Sequence, residues 1–164
     1  MTIFVTGGAG FIGSEFIRQM AGSAQIINFD KLTYAGNLDN LTEAAKAPGY
    51  SLVRGDVCDA QSVMDALPEG CDSVVHFAAE SHVDRSIAGA EEFVRTTVLG
   101  TQVMLDAARR KGVKRFLHIS TDEVGGDMPP GGWFKEEDPL KGSSPYAASK
   151  ASAELFVRAA ARTF

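Results

Sequence analysis

Short runs of apolar and β-branched residues alternate along the chain with longer segments whose apolar residues recur every three or four positions. Continuous apolar runs are typical of parallel strands buried on both faces, and the longer period is typical of amphipathic helices. The pattern therefore favours a single α/β domain built on a parallel sheet. It predicts strands at residues 2–6, 25–29, 50–54, 73–77 and 115–120. It predicts helices at residues 11–21, 40–46, 60–67, 91–111 and 146–164, the last begun by Ser143-Ser144-Pro145.

A glycine-rich turn links the first predicted strand to the first predicted helix. Gly7, Gly10 and Gly13 permit a tight turn, let backbone amides approach a ligand and allow the helix to pack closely on the strand. Because the amides of a helix N-terminus attract anions, this position suits the pyrophosphate of a dinucleotide. The motif predicts a Rossmann-type doubly wound parallel sheet over residues 1–164. Such a sheet usually has about six strands, so we expect a chain truncated before the sixth strand.

Acidic residues follow the second and third predicted strands. Asp30 ends the second strand, where a carboxylate accepts hydrogen bonds from the adenosine ribose of NAD. The same charge repels the 2′-phosphate of NADP unless Lys31 compensates for it, so NAD is the expected cofactor. Asp56 follows the third strand. Two interpretations stay open for it, contact with the adenine edge or an ordinary turn residue.

Small and polar residues close the fourth predicted strand. Ala78 and Ala79 leave room for the second half of a dinucleotide at the carboxyl edge of the sheet. Ser81 and His82 lie just beyond this edge, where a substrate would contact them. His76 lies inside the strand and is expected to be a hydrogen-bonded core histidine.

Candidate catalytic groups lie in two segments near the end of the chain. Tyr146 and Lys150 lie one turn apart on one face of the last predicted helix. Lys150 and an oxidised nicotinamide would lower the pKa of this tyrosine from its usual value of about 10. Asp122 and Glu123 follow the fifth strand, where a protonated and an ionised carboxyl would supply an acid and a base. Residues 125–142, rich in Gly and Pro, are expected to form a functional loop.

Composition narrows the possible partners. The 21 acidic and 16 basic side chains give a net charge of −5 and are scattered, which argues against a nucleic-acid partner. Cys58 and Cys71 lack metal-ligand spacing, so we expect no metal site and two reduced thiols in a cytoplasmic protein. No apolar stretch approaches the roughly 20 residues that span a bilayer, so no membrane association is expected.

These motifs together resemble the dTDP-glucose 4,6-dehydratases, a family of extended short-chain dehydrogenases/reductases. The similarity covers essentially the whole chain and rests on residues 6–14, 30–37, 78–86 and 120–124, of which the last three segments are the more specific. The resemblance implies a lyase that uses NAD to remove water from dTDP-glucose or a similar nucleotide sugar, leaving a 4-keto-6-deoxy sugar. It also implies a homodimer for the full-length family, and a truncation before the substrate lobe that follows the sixth strand in family members.

The resemblance gives each catalytic candidate a role. Tyr146 removes the proton of the sugar's 4-hydroxyl while hydride passes from carbon 4 to NAD. Glu123 then takes the proton of carbon 5, Asp122 protonates the departing 6-hydroxyl, and hydride returns to carbon 6. Thr121 holds the 4-oxygen, and Lys150 binds the nicotinamide ribose. The implied cofactor contacts are Gly7, Gly10, Phe11, Ile12, Gly13, Asp30, Lys31, Leu32, Thr33, Asp56, Val57, Ala78, Ala79, Glu80, Ser81, Thr96, Tyr146 and Lys150, and the implied substrate contacts are Ser81, His82 and Thr121.

Two positions depart from the family pattern, and two other functions stay open. Gly125 stands where similar enzymes have Tyr after Glu-Val, which removes an aromatic wall beside the carboxylates. Thr97 stands where an Asn is usual, which affects a local polar contact. A sugar-nucleotide 4-epimerase would share Tyr146, Lys150 and the NAD site without needing the paired acids. The other alternative is an inactive NAD-binding fragment.

Overall fold

The computed structural model describes residues 1–128 and 130–164, so that Pro129, inside the predicted loop, lies outside the described residues. The described chain divides into two compact units. The sheet unit comprises Met1–Ala78 with Val103–Ile119, and the helical unit comprises Ala79–Gln102 with Ser120–Phe164. The single domain expected from the sequence stays a prediction, and each unit is described by itself.

The sheet unit contains a five-stranded parallel sheet. Its strands are β1 (Thr2–Thr6), β2 (Gln25–Asp30), β3 (Tyr50–Arg54), β4 (Ser73–His76) and β5 (Phe116–His118). Their order, β3-β2-β1-β4-β5, reverses beside β1, which is the place where open α/β sheets bind ligands. Each strand lies within two residues of its predicted bounds, and the predicted Rossmann-type fold is confirmed.

The described helices are α1 (Phe11–Met20), α2 (Ala60–Ala66), α3 (Val83–Ala88), α4 (Glu91–Phe93), α5 (Gly100–Arg110) and α6 (Pro145–Thr163). Ser144 caps α6 as predicted, because its side chain accepts a hydrogen bond of 3.0 Å from the Ala147 amide and Pro145 lies in the first turn. None of these helices combines the length and hydropathy that crossing a membrane requires.

Apolar layers cover both faces of the sheet. One layer contains Phe4, Phe29 and Val74 from the strands with Val63 from α2 and Met104 from α5. The other contains Ile3, Val5, Ile26 and Val75 from the strands with Ile17 from α1. Neighbouring strand residues enter opposite layers because side chains alternate across a strand. Helices on both faces give the doubly wound arrangement that the sequence predicted.

Two helix predictions need correction. Residues 40–46 form no α-helix but parts of two 3₁₀ turns, Leu38–Leu41 and Ala44–Lys46. The Asn37 side chain caps the first of these turns, because it accepts a hydrogen bond of 3.0 Å from the Asp39 amide. The helix predicted at residues 91–111 is interrupted by a π-helical segment, Val94–Leu99, between α4 and α5. Helix α3 was not predicted.

Candidate functional site

The glycine turn of the sheet unit is pressed against neighbouring backbone. Gly7 has a φ of 69°, and a Cβ at this position would lie 2.7 Å from the Ala78 nitrogen. A Cβ at Gly13 would lie 2.3 Å from the carbonyl oxygen of Gly7. Real side chains do not tolerate such distances, so the turn requires glycine at both positions.

The first turn of α1 is open to a ligand. Phe11 is 89% exposed and Ile12 is 62% exposed, although both side chains are apolar. Gly10 is the N-cap residue, and no described side chain forms a capping hydrogen bond to this helix. Uncapped amides at a helix N-terminus suit an anion, and the exposed apolar residues suit a neighbouring ring or sugar.

Asp30 organises the backbone around this turn. The residue is 8% exposed, and its Oδ2 accepts a hydrogen bond of 2.8 Å from the Ala9 amide. Its Oδ1 accepts a second hydrogen bond of 2.8 Å from the amide of Leu32, which has a left-handed φ of 57°. Each carboxylate oxygen keeps a further lone pair for a ligand hydroxyl. Asp30 therefore holds the glycine turn and the Leu32 turn together, a structural role that the sequence did not predict.

Asp56 takes part in a turn and an ion pair. Its Oδ1 accepts a hydrogen bond of 2.9 Å from the Cys58 amide, and its Oδ2 lies 2.8 Å from Lys31 Nζ. Burial alone raises the pKa of Asp56, but the hydrogen bonds from Lys31 and Cys58 outweigh burial, so the pKa is lowered. The turn interpretation is confirmed, and the adenine contact stays a prediction. Val57 is buried in the core, which leaves its backbone for the predicted cofactor contact.

His76 is a core residue, as predicted. It is 1% exposed, and its Nδ1 lies 2.7 Å from Thr6 Oγ1. The hydroxyl of Thr6 also accepts a hydrogen bond of 3.3 Å from the Ala78 amide. These bonds fix the end of β4 at the point where the predicted cofactor contacts begin. Beyond it, in the helical unit, Ser81 and His82 are exposed, and His82 has a left-handed φ of 75°.

The helical unit brings four predicted catalytic residues together. Thr121 precedes a 3₁₀ turn, Asp122–Gly125, and its Oγ1 accepts a hydrogen bond of 3.3 Å from the Glu123 amide. The Thr121 hydroxyl also lies 3.3 Å from Asp122 Oδ1 and forms a hydrogen bond with the phenol of Tyr146. We call Thr121, Asp122, Glu123 and Tyr146 the acid cluster. The Thr121 hydroxyl contacts the Asp122 carboxyl and the Tyr146 phenol, and the charge of Glu123 also reaches the phenol. A phenol and two carboxyl groups in one cluster can exchange protons with a bound substrate.

The pKa of Tyr146 is raised, against the prediction. Burial of the half-buried phenol is the largest cause, and the charges of Glu123 and Asp122 raise the pKa further. The hydrogen bond with Thr121 opposes them without reversing the direction. The predicted lowering is therefore wrong for the protein alone, in which the neighbours of the phenol that shift its pKa by charge are anionic.

Lys150 is a buried cation one turn beyond Tyr146. It is 4% exposed, and burial lowers its pKa to about 8, while the charge of Glu154 raises it. Glu154 Oε2 accepts a hydrogen bond of 2.9 Å from Ser120 Oγ, and Glu154 Oε1 pairs with Arg158. Glu154 was not predicted, although its i+4 spacing from Lys150 was a signal. Glu154 links α6 to the segment that carries the acid cluster.

Thr97 makes the polar contact that its departure from the family pattern put in question. It lies in the π-helical segment, is fully buried, and its Oγ1 accepts a hydrogen bond of 3.3 Å from the Glu80 amide. The Thr97 carbonyl accepts a hydrogen bond of 2.6 Å from Thr101 Oγ1. A hydroxyl at position 97 therefore holds the backbone of a predicted cofactor contact, and π-helical segments often occur at functional sites.

We expect Thr97→Val to lower the free energy of unfolding by about 1–2 kcal/mol, because valine keeps the shape of threonine but removes the buried hydroxyl that accepts the hydrogen bond of the Glu80 amide. Urea denaturation measures the loss, and hydrogen exchange of the Glu80 amide should become faster. Thr97→Ser is the matched control, since it removes a methyl group and keeps the hydroxyl. Equal exchange rates at Glu80 in both variants would contradict this role.

Metal-ligating and thiol groups complete the description. In residues 1–128 and 130–164, no group of three or more His, Cys, Asp or Glu side chains is placed to hold a metal ion. Cys58 and Cys71 are free thiols, and burial is the main cause that raises the pKa of Cys71.

Known proteins resemble this chain in sequence and in fold. The chain matches the family model described as GDP-mannose 4,6 dehydratase over residues 4–164. It is 53% identical to dTDP-glucose 4,6-dehydratase of Streptomyces niveus, over 99% of this chain and 50% of the relative. The crystal structure of dTDP-glucose 4,6-dehydratase from Streptomyces venezuelae, with NAD bound, superimposes with a TM-score of 0.93 at 50% identity, over 99% of this chain and 52% of that chain.

A solved epimerase is also similar. The structure of UDP-glucose 4-epimerase from Thermus thermophilus, a complex with NAD, gives a TM-score of 0.89 at 30% identity. It is matched over 100% of this chain and 52% of that chain. The chain therefore spans about half the length of the relatives that it matches.

Proposed function

Since the chain belongs to the GDP-mannose 4,6 dehydratase family, we propose that it carries out the NAD-dependent 4,6-dehydration of dTDP-glucose or a similar nucleotide sugar. The observation that carries this proposal is the acid cluster. An oxidation at carbon 4 needs a base for the hydroxyl proton, and the elimination of water needs a second base and an acid. Tyr146, Glu123 and Asp122 are three groups of the required kind, joined by the Thr121 hydroxyl and the turn that it caps.

NAD is the cofactor that the residues of the sheet unit fit. The glycine turn leaves no space for a Cβ at Gly7 or Gly13, and Phe11 and Ile12 are exposed at the start of α1. Asp30 carries a negative charge where a 2′-phosphate would lie in NADP. Lys31 forms an ion pair with Asp56, and this pairing supports NAD over NADP. Bound NAD supplies the hydride-accepting and hydride-returning chemistry of the reaction.

The residues of the chain then move protons. Tyr146 takes the proton of the 4-hydroxyl, which Thr121 holds. Since the raised pKa keeps the phenol protonated at neutral pH in the protein alone, the positive charge that favours its ionisation must arrive with the oxidised nicotinamide. Glu123 removes the proton of carbon 5, which the neighbouring keto group has made acidic. Asp122 protonates the departing 6-hydroxyl, a role that requires substrate to exclude water from this exposed carboxyl.

The test combines binding with product analysis. The chain is incubated with NAD and dTDP-glucose, and we expect a product lighter by one water that carries a keto group. Gly13→Ala should abolish NAD binding in calorimetry and product formation, because its Cβ meets the Gly7 carbonyl. Gly89→Ala is the control, since the space around Gly89 is open. Inversion at carbon 4 without loss of water would support the epimerase, and NAD binding without any conversion would support the inactive fragment.

The helical unit supports a homodimer. Val94 and Leu99 in the π-helical segment and Leu155 and Phe156 on α6 are exposed apolar residues. A second copy of the chain that packs on these residues would remove their apolar surface from water. Separately, the two free thiols support a location in a reducing cytoplasm. A monomer mass in sedimentation at high protein concentration would contradict the dimer.

A further inference from the structure

Gly125 leaves a space that an aromatic side chain from the loop fills. A Cβ at Gly125 would lie 2.5 Å from both Cδ1 and Cε1 of Phe134. The φ of Gly125 lies outside the left-handed region, so its backbone does not itself require glycine. The missing side chain at position 125 is therefore what allows the Phe134 ring to lie against the turn of the acid cluster.

The loop that carries Phe134 is held at its two ends. The Lys141 amide donates a hydrogen bond of 2.7 Å to the Val124 carbonyl, and Ser143 Oγ donates one of 2.9 Å to Asp127 Oδ1. From residue 130 to residue 139, Phe134 is the only side chain that is not exposed. An apolar ring that turns inward from an otherwise exposed loop anchors the middle of that loop.

Phe134 also lines a cavity beside Asp122. The cavity has a volume of about 550 Å³, and its lining includes Thr121, Asp122, Gly125, Phe134, Glu154 and Arg158. The ring is an apolar part of a lining that also contains the charged side chains of Lys135, Glu136 and Asp138. An apolar ring in an otherwise polar cavity offers contact to a carbon atom of a ligand.

We propose that Phe134, seated on Gly125, is a specificity-determining residue whose ring contacts carbon 6 of the sugar beside Asp122. This assignment rests on the proposed function, in which Asp122 protonates the 6-hydroxyl. Because Asp122 and Phe134 line the same cavity, a sugar whose 6-hydroxyl meets Asp122 would bring carbon 6 towards the Phe134 ring. The aromatic surface that position 125 lacks is then supplied from position 134.

The first part of the test examines the packing of the Phe134 ring on Gly125 without any ligand. Gly125→Ala should lower Tm by roughly 5 °C, because its Cβ displaces the Phe134 ring. In a chain that already carries Phe134→Ala, Gly125→Ala should leave Tm almost unchanged. The anisotropy of Trp133, the single tryptophan, should fall when the ring leaves its seat and the loop becomes mobile. Equal losses of Tm from Gly125→Ala in both backgrounds would overturn the proposal.

The second part measures selectivity with two probes. dTDP-glucose and dTDP-xylose differ in the hydroxymethyl group that contains carbon 6, and calorimetry gives the affinity for each in the presence of NAD. Phe134→Ala should reduce the preference for dTDP-glucose about 10-fold. Phe134→Leu should retain most of this preference because it keeps an apolar wall. Trp133→Ala is the control for the loop, since Trp133 is 76% exposed, and it should leave the preference unchanged.

The outcomes separate this inference from the proposed function. An unchanged preference in Phe134→Ala, with both sugars still bound, would overturn the role of Phe134 and leave the dehydratase proposal standing. If the unsubstituted chain binds neither nucleotide sugar, both proposals fail together. Loss of preference in Trp133→Ala as large as in Phe134→Ala would show a general effect of the loop and would also overturn the assignment.

Discussion

Lys150→Met is expected to raise the free energy of unfolding by about 2–3 kcal/mol at pH 7, although it removes a predicted cofactor contact. Lys150 is 4% exposed, and its pKa falls from 10.5 to about 8 because burial disfavours the ammonium form. At pH 7 the folded chain therefore holds a charge that water would solvate better. Methionine has a similar shape and no charge, so it removes this cost.

The pH dependence has a definite sign. Because the pKa of Lys150 is lower in the folded chain than in the unfolded chain, the unfolded chain binds more protons between about pH 8 and pH 10.5. The contribution of Lys150 to the free energy of unfolding therefore rises with pH through that window. Below the window, the destabilisation by its buried charge is complete. Urea denaturation from pH 7 to pH 10 measures the effect as the difference between the two proteins.

That difference should shrink as pH rises, because the unsubstituted chain loses the charge that Lys150→Met has removed. Lys135→Met is the matched control, since Lys135 is exposed and its replacement should change stability by less than about 0.5 kcal/mol. If Lys150→Met is no more stable than the unsubstituted chain at pH 7, burial of the Lys150 charge does not lower the free energy of unfolding.

Tyr146→Phe is expected to lower the rate of product formation about 100- to 10,000-fold, because it removes the proposed base for the 4-hydroxyl. The fold should be unaffected. The Tyr146 ring meets the Phe93 ring edge-on, with centroids 6.3 Å apart, and phenylalanine keeps this contact. Rates of release of the keto sugar from dTDP-glucose, measured with saturating NAD, give the size of the loss, and calorimetry shows whether NAD binding survives.

The unsubstituted chain should also show a rate that rises with pH as the Tyr146 phenol ionises, because only the ionised form accepts a proton. Tyr146→Phe should lack this rise. A loss smaller than about 10-fold, with NAD still bound, would remove Tyr146 from the role of base, because general base catalysis contributes more than that.

Local sequence signals predicted the sheet well. β-branched and apolar runs marked β1 to β4 closely, and Gly7, Gly10 and Gly13 marked the turn after β1, because these preferences act between near neighbours. The helix expected at residues 40–46 was wrong, because the chain there forms two short 3₁₀ turns with hydrogen bonds between residues three apart. Leu41 and Ala44 are nevertheless buried.

The sequence by itself determined which chemical groups this protein has and roughly where along its strands and helices they lie. Only the tertiary structure decided their surroundings, because those depend on residues far apart in the chain. Burial and the charges of Glu123 and Asp122 reversed the expected pKa direction of Tyr146, Glu154 joined Ser120 to α6, and Phe134 filled the space above Gly125. The pKa of a side chain and the shape of the site around it depend on the residues that the fold brings together. No local sequence pattern specifies those residues.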